Sequence, residues 1–320
     1  MKAGLILVAG LFAIVAGAND GSSILSTVLR VPGFRPLTSI CILLGSIAIG
    51  PWLLFGTGVA TTLAQHLVPF SGPREDAVVL VAILSSIAVV FTLTRVGSPT
   101  SLTLSLIGAI TGAAFGSGLP IHAVILAEIL AVGLLAPVMC AFLAFLAAPV
   151  VLRALHAPEV TKRLRRAHQG AFCLQCLGYS ANGGQKMLAV FAIATGAASG
   201  RLVRDPWWLA LVVSVFFGAG ILIGLRRVSE RLGKEVVTVR LRHAVVAESC
   251  SFAVVMGAGL AGVPLTMSQS VTGALVGAGA RESLTRVRWS ATAGIALAWA
   301  VTLPASVALA AGAAGATRLL

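Results

Sequence analysis

Gly17-Ala18-Asn19-Asp20-Gly21-Ser22-Ser23 lies in the middle of an apolar run from Leu5 to Leu29, and that placement decides the fold. A run of this length is enough to cross a bilayer as a helix. An amide, a carboxylate and two hydroxyls at mid-depth are costly in lipid unless they face a partner or a cavity. A near-copy, Ser180-Ala181-Asn182-Gly183-Gly184-Gln185-Lys186, lies in the second half of the chain. Two polar breaks in matching halves of a hydrophobic chain point to a binding site between two structural repeats.

The composition agrees. Of 320 residues, 58% are hydrophobic and only 10% charged, with a mean hydropathy of +1.01. A soluble domain carries about 25% charged residues. The chain therefore reads as an all-α polytopic membrane protein with its partner the lipid bilayer and little room for a soluble domain. The net charge of +13 does not point to nucleic acid, because the basic residues gather in short loops, where positive charge marks the cytoplasmic side. The first segment carries chemistry-bearing polar residues and reads as a retained span, not a cleaved signal. Cys173 and Cys176 form a C-x-x-C with no second pair, inside a hydrophobic run, and read as small packing residues on a helix.

Apolar segments fall at about 3–28, 37–58, 77–94, 97–118 and 121–152, and again at about 170–199, 207–225, 244–262, 263–280 and 289–312. The organisation expected is a first transmembrane repeat over 1–152, a basic cytoplasmic linker over 153–169 and a second repeat over 170–320. The halves align by motif. Asn19 maps to Asn182, 163 residues on, and Gly97-Ser98-Pro99 maps to Gly262-Val263-Pro264, 165 residues on. At that second offset Ser101 meets Thr266, Thr103 meets Ser268, Gly108 meets Gly273 and Gly112 meets Gly277. A near-constant offset over glycines and a proline indicates an internal duplication.

Charge orients the spans. With 153–168 cytoplasmic, Arg226, Arg227, Arg231, Lys234, Arg240 and Arg242 return to the same side, as do Arg281, Arg286 and Arg288. Counting backward puts Arg95 and the Arg30/Arg35 loop inside, and the 59–76 loop outside; Arg201 and Arg204 are the exceptions. About five hydrophobic segments per repeat leave both termini outside and make the repeats inverted, with broken or re-entrant helices at the centre. The site expected there is built from four stretches. Glycines in the two Asn-centred breaks allow unwinding, which frees backbone groups to meet ions; the alternative is a seam of small residues for close helix packing. The other two stretches, 97–105 and 262–270, start near a proline and carry hydroxyls at alternate positions. Those hydroxyls either donate to an oxyanion or back-bond within a helix. Lys186, four residues after Asn182, is an attractor for an oxyanion or a partner for Asp20. Glu128 and Glu248 read as buried hydrogen-bonding groups or end-of-span residues. Metal-ligand spacing, a nucleophile–base arrangement and a nucleotide-binding loop are missing from the sequence, so an enzyme is the least supported class.

On these motifs the sequence resembles the inorganic phosphate transporter (PiT) family of phosphate permeases. That family carries a G-x-N-D motif in each repeat, the second continuing into G/A-Q-K, and a proline- and hydroxyl-rich stretch in each half. The resemblance extends to Leu297-Ala298-Trp299 and Thr302-Leu303-Pro304. It implies a secondary active transporter of the cell membrane, moving inorganic phosphate with sodium or protons by alternating access. It implies a substrate site of Asn19, Asn182, Gln185, Lys186, Ser101, Thr103, Thr266 and Ser268 and a coupling-ion site of Asp20, Asn19 and Asn182. No cofactor is expected beyond a sodium ion at Asp20, and a homodimer is a further expectation. Gly183 stands where the family has Asp, Leu104 replaces the usual His, and Met267 and Gln269 depart in the second hydroxyl stretch. The missing carboxylate leads us to expect weak sodium dependence, with coupling to protons or one sodium. The alternatives are a permease for sulfate or another oxyanion and a non-transporting membrane partner or sensor.

Overall fold

The structure, a computed structural model, describes residues 2–29, 31–50, 58–68, 75–95, 100–154, 160–195 and 207–318. Every long element among them is helical. Five helices are long and apolar enough to cross a membrane: Gly4–Val28, Asp76–Arg95, Ala123–Val151, Leu241–Leu260 and Trp289–Ala316. Shorter apolar helices run over Pro36–Gly50, Leu102–Ser117 and Trp208–Gly224. Large apolar side chains on the outer faces, such as Leu134, Val138, Phe142 and Val150, are exposed, as lipid-facing residues are.

Each half begins with a long rod interrupted in the middle. In the first, α1 (Lys2–Ala16) and α2 (Ser22–Val28) are joined by a π-helical turn over Gly17–Gly21. In the second, α8 (Val160–Tyr179) and α9 (Gln185–Ala194) are joined by a π-helical turn over Ser180–Gly184. The flanking residues keep right-handed helical angles: Ala16 has φ −60° and ψ −44°, and Tyr179 has φ −63° and ψ −43°. The interruption expected from the glycines thus takes the form of one widened turn and not an unwound loop. Part of the reason is packing. A side chain at Gly17 would collide with the Phe217 carbonyl of α10 (Trp207–Glu235), and one at Gly224 with the backbone of Ala18. The rod and α10 therefore touch backbone to backbone, and in the second half α8 lies against α3 (Pro36–Gly50).

A hairpin-like unit closes on each rod. In the first half α5 (Glu75–Arg95) leads to α6 (Leu102–Ser117); in the second α11 (Leu241–Leu260) leads to α12 (Met267–Glu282). The two short helices have 16 residues each. At ~1.5 Å per residue that is about 24 Å, short of a ~30 Å hydrocarbon core. Extended backbone leads into each, at Ser101 (φ −99°, ψ 107°) and Thr266 (φ −103°, ψ 117°). Gly262, with φ +73°, turns the chain between α11 and this segment. Gly97, Ser98 and Pro99, the first-half counterpart, lie outside the described residues.

The last helix of each half clasps the short helix of the other. α6 packs along α13 (Trp289–Arg318), and α12 along α7 (Ala123–Ala154). Gly108 and Gly112 meet the backbone of Leu303 and Val307; Gly273 and Gly277 meet that of Pro137 and Ala141. These are the glycine pairs that the offset matched, and close approach explains them. Two features differ from the sequence reading. The basic stretch is already helical from Val160, as the first turns of α8, and a short helix α4 (Gly58–Thr61) with a π turn over Thr62–His66 occupies part of the expected 59–76 loop. A stretch this short cannot display a helical period.

Candidate functional site

The two rods bring their π turns to the extended segments that lead into α6 and α12. Asn182 holds one of these segments by its backbone. Its Oδ1 accepts from Leu265 N at 2.7 Å, and its Nδ2 donates to Val263 O at 2.8 Å. Asn19 does less at the other segment: its Nδ2 lies 3.4 Å from Thr100 O and 3.0 Å from its neighbour Asp20 Oδ1. The carbonyls of Ala18 and Asn19 accept from the hydroxyls of Ser22 and Ser23. Backbone oxygens that a break would free for a cation are therefore partly occupied, and Asp20 is the main acceptor left on that turn.

Across the centre, Ser101 Oγ and Thr266 Oγ1 lie 2.8 Å apart. These are repeat-equivalent residues, so the pseudo-two-fold axis relating the halves passes between them. Gln269 Oε1 lies 3.3 Å from Ser101 Oγ. Lys186 bridges the halves: its Nζ donates to Thr103 Oγ1 at 2.6 Å and to the carbonyl of Leu265. Asp20 is fully buried, and Lys186 almost so. The ammonium is held by neutral oxygens and lies within electrostatic reach of the Asp20 carboxylate, so it can serve either an incoming anion or Asp20. Thr100 Oγ1 and Ser268 Oγ are buried without a hydrogen-bond partner among the described residues, and Ser268 lies close enough to Asp20 to interact with it. Hydroxyls at Thr100, at the start of one extended segment, and at Ser268, near Asp20, are of the kind that suits a ligand rich in oxygen.

Of the residues expected from sequence, Asn19, Asp20, Ser101, Thr103, Asn182, Lys186, Thr266 and Ser268 converge here. Gln185 turns aside, accepting at Oε1 from Val59 N of α4 at 2.8 Å. Its Nε2 is buried and unpaired among the described residues. Glu128 is exposed. Glu248 is buried and bonded to His168, away from this centre. Gln269 was read only as a departure from the family pattern, and Tyr179 was missed altogether. Tyr179 is the chain's one tyrosine and precedes Gly183 by four residues, a spacing that puts both on one helix face. A Cβ at Gly183 would stand 2.5 Å from Tyr179 Cζ. The ring fills the space in which a side chain at 183 would begin, and Phe217 packs against it with centroids 5.4 Å apart. Its hydroxyl reaches Asp20 Oδ2 at 3.5 Å.

A membrane protein that is helical throughout its described residues, with two interlocking repeats and a charged centre between them, fits the inverted-repeat class typical of secondary transporters. The family model described as "Phosphate transporter family" matches the chain twice, over residues 16–169 and 153–310. The chain belongs to the phosphate transporter family, and the double match corresponds to its two repeats; that family is one of transporters, not enzymes. Similar curated proteins include a "Probable low-affinity inorganic phosphate transporter" of Mycobacterium leprae, 27% identical over 94% of this chain and 74% of the relative. Proteins of the same description from Bacillus subtilis (23% identical, 95% of this chain and 93% of the relative) and Rhizobium meliloti (24%, 96% and 94%) also match. A solved structure titled "The sodium-dependent phosphate transporter" superposes with a TM-score of 0.83 over 99% of both chains at 17% identity, which establishes the shared fold.

Proposed function

We propose that this protein takes up inorganic phosphate across the cell membrane by alternating access, coupled to one cation, sodium or proton, held at Asp20. The carrying observation is Lys186, buried between the repeats and bonded to Thr103 of one and Leu265 of the other. A group held by both halves senses their relative motion, and an anion bound to it is exposed to whichever side the halves open. Ser101, Thr103, Thr266 and Ser268 supply hydroxyls to the phosphate oxygens, with Asn19 and Asn182 holding the two extended segments in place. Gln185 stands outside this set, its Oε1 engaged by Val59 N of α4. The acceptor beside Ser101, Gln269 Oε1, favours phosphate over sulfate. Phosphate still carries a proton to donate at neutral pH, whereas sulfate offers only acceptors.

The cation sits at Asp20, since two anions in one site repel unless something positive separates them. Tyr179 closes the equivalent place in the second half, which supports one cation there and not two. The Lys and Arg distribution supports a cytoplasmic 153–168 stretch and both termini outside. Uptake of labelled phosphate into proteoliposomes tests the reading. Accumulation under an imposed sodium or proton gradient, little reduced by excess sulfate, is the expected result. Equal competition by sulfate assigns a general oxyanion permease, and phosphate binding without uptake assigns a sensor.

A further inference from the structure

A second buried ionisable pair lies apart from the central site. His168 Nδ1 and Glu248 Oε2 are 2.8 Å apart, and both side chains are wholly buried. Thr27 Oγ1 of α2 stands 3.2 Å from the other carboxylate oxygen. The remaining ring nitrogen, His168 Nε2, has no partner among the described residues. Its edge is turned to Gly33, where even a Cβ would come within 3.2 Å of it. Phe34 and Phe172 pack around this end of α8. From α8 the Cys173 and Cys176 thiols also lie within electrostatic reach of Glu248. α2 presents Thr27, and the 31–35 segment presents Gly33 and Phe34.

Packing does not require this pair. At the repeat offsets the first-half counterparts of His168 and Glu248 are Leu5 and Ile83, both buried. The repeat-equivalent positions are therefore occupied by two buried apolar side chains. Replacing a buried ion pair by apolar groups is often neutral or stabilising, so the fold alone gives no reason for the polar version. The chemistry gives one. Imidazole can take up and give back a proton at its second ring nitrogen without moving. A proton added at Nε2 makes an imidazolium against a carboxylate, which buries no uncompensated charge. The pair is joined to the centre by the rod itself: Asp20, Ser23 and Thr27 follow an i, i+3, i+7 spacing along one face, about 10 Å from end to end.

We propose that His168 and Glu248 form a proton-binding site that takes one proton per transport cycle, in addition to the cation at Asp20, and releases it past the 31–35 segment to the cytoplasm. This rests on the transport reading above. The proton enters from the centre while that is open to the outside, passes along the Ser23 and Thr27 face to Glu248 and His168, and leaves to water at the cytoplasmic mouth.

The test is to count protons and labelled phosphate together in proteoliposomes, with unmodified protein, His168→Gln, Glu248→Gln, and the double variant His168→Leu/Glu248→Ile. The double variant copies the first repeat and removes the titrating groups without leaving a buried charge. Expected are one fewer proton per phosphate in the double variant and in His168→Gln. Accumulation driven by a one-unit pH gradient falls about tenfold, the factor one proton supplies, while phosphate exchange persists. An unchanged proton count and pH profile in these variants overturns the proposal. So does a double variant that loses exchange along with accumulation, because that outcome assigns the pair to structure. Absence of phosphate uptake by the unmodified protein strikes instead at the transport reading itself.

Discussion

The two Asn-centred turns are built on one plan and carry opposite charge. The first has Asp20 and, one turn on, the small hydroxyl of Ser23; at the offset of the rods the second has Gly183 and Lys186. Where the second rod has Tyr179, the first has Ala16. A carboxylate and a hydroxyl face an ammonium and an aromatic ring across the axis. Internal duplication would give two like sites, but these substitutions make one site with a negative and a positive side. The ring matters as much as the missing carboxylate. It occupies the opening at 183 and sends its hydroxyl toward Asp20 of the other half.

The largest effect is expected where the comparison is most unequal, at Asp20. Asp20→Asn removes the only carboxylate on either turn. Gradient-driven phosphate accumulation should disappear, while exchange of labelled for unlabelled phosphate is reduced much less. Equal loss of both would show that Asp20 binds phosphate or holds the fold, and the division of labour between the halves would fail. Lys186→Gln comes next. A hydrogen bond to a charged group is worth about 1.5–3 kcal/mol, so the KM for phosphate should rise roughly ten- to hundredfold. A variant with unchanged KM would move the phosphate off the positive side.

These contrasts were only partly legible in the sequence. The span pattern and the glycine pairs Gly108/Gly273 and Gly112/Gly277 were readable, because burial in lipid and backbone approach both leave periodic marks. The convergence of Ser101 with Thr266 was implied by their equal place in the two repeats. The π turns were not legible: a glycine-rich unwound loop and a glycine-rich widened turn draw on the same residues, and only the contact with α10 separates them. Gln185 has the right chemistry, and a rotation of one position on the helix sends it to Val59. Tyr179 left no periodic trace, since its effect is the volume its ring takes from a residue that has no side chain.

That volume makes the third prediction a paired one. Gly183→Asp alone should not create sodium dependence. The new side chain meets the Tyr179 ring, and overpacking of this kind costs about 1–3 kcal/mol, visible as a lowered melting temperature in detergent. Tyr179→Ala alone opens the space without supplying a carboxylate. Only the double variant, Gly183→Asp with Tyr179→Ala, should show a steeper sodium dependence than the unmodified protein. Additive behaviour of the two substitutions, in which the double variant shows no more than the sum of the singles, would separate the ring from the missing carboxylate.

The smallest expected effect tests the hydroxyl alone. Tyr179→Phe keeps the ring, its contact with Phe217 and the filled space at 183, and removes only the donor that reaches Asp20. At 3.5 Å that hydrogen bond is at the limit of length, and bonds there are weak. A value at the low end for a hydrogen bond, about 0.5–1 kcal/mol, corresponds to a two- to fivefold change in the concentration of coupling cation needed for half-maximal uptake. Its direction follows from the chemistry: the hydroxyl stabilises the bare carboxylate, so without it Asp20 holds a proton or sodium more tightly and the half-saturating concentration falls. The KM for phosphate at saturating cation should stay the same, because the ring and Lys186 are undisturbed. A change in phosphate KM with no change in cation dependence would mean that the Tyr179 hydroxyl serves the anion. The second rod would then contribute Tyr179 together with Lys186 to phosphate and nothing to the cation, and the division between the rods would be sharper than the charges alone suggest.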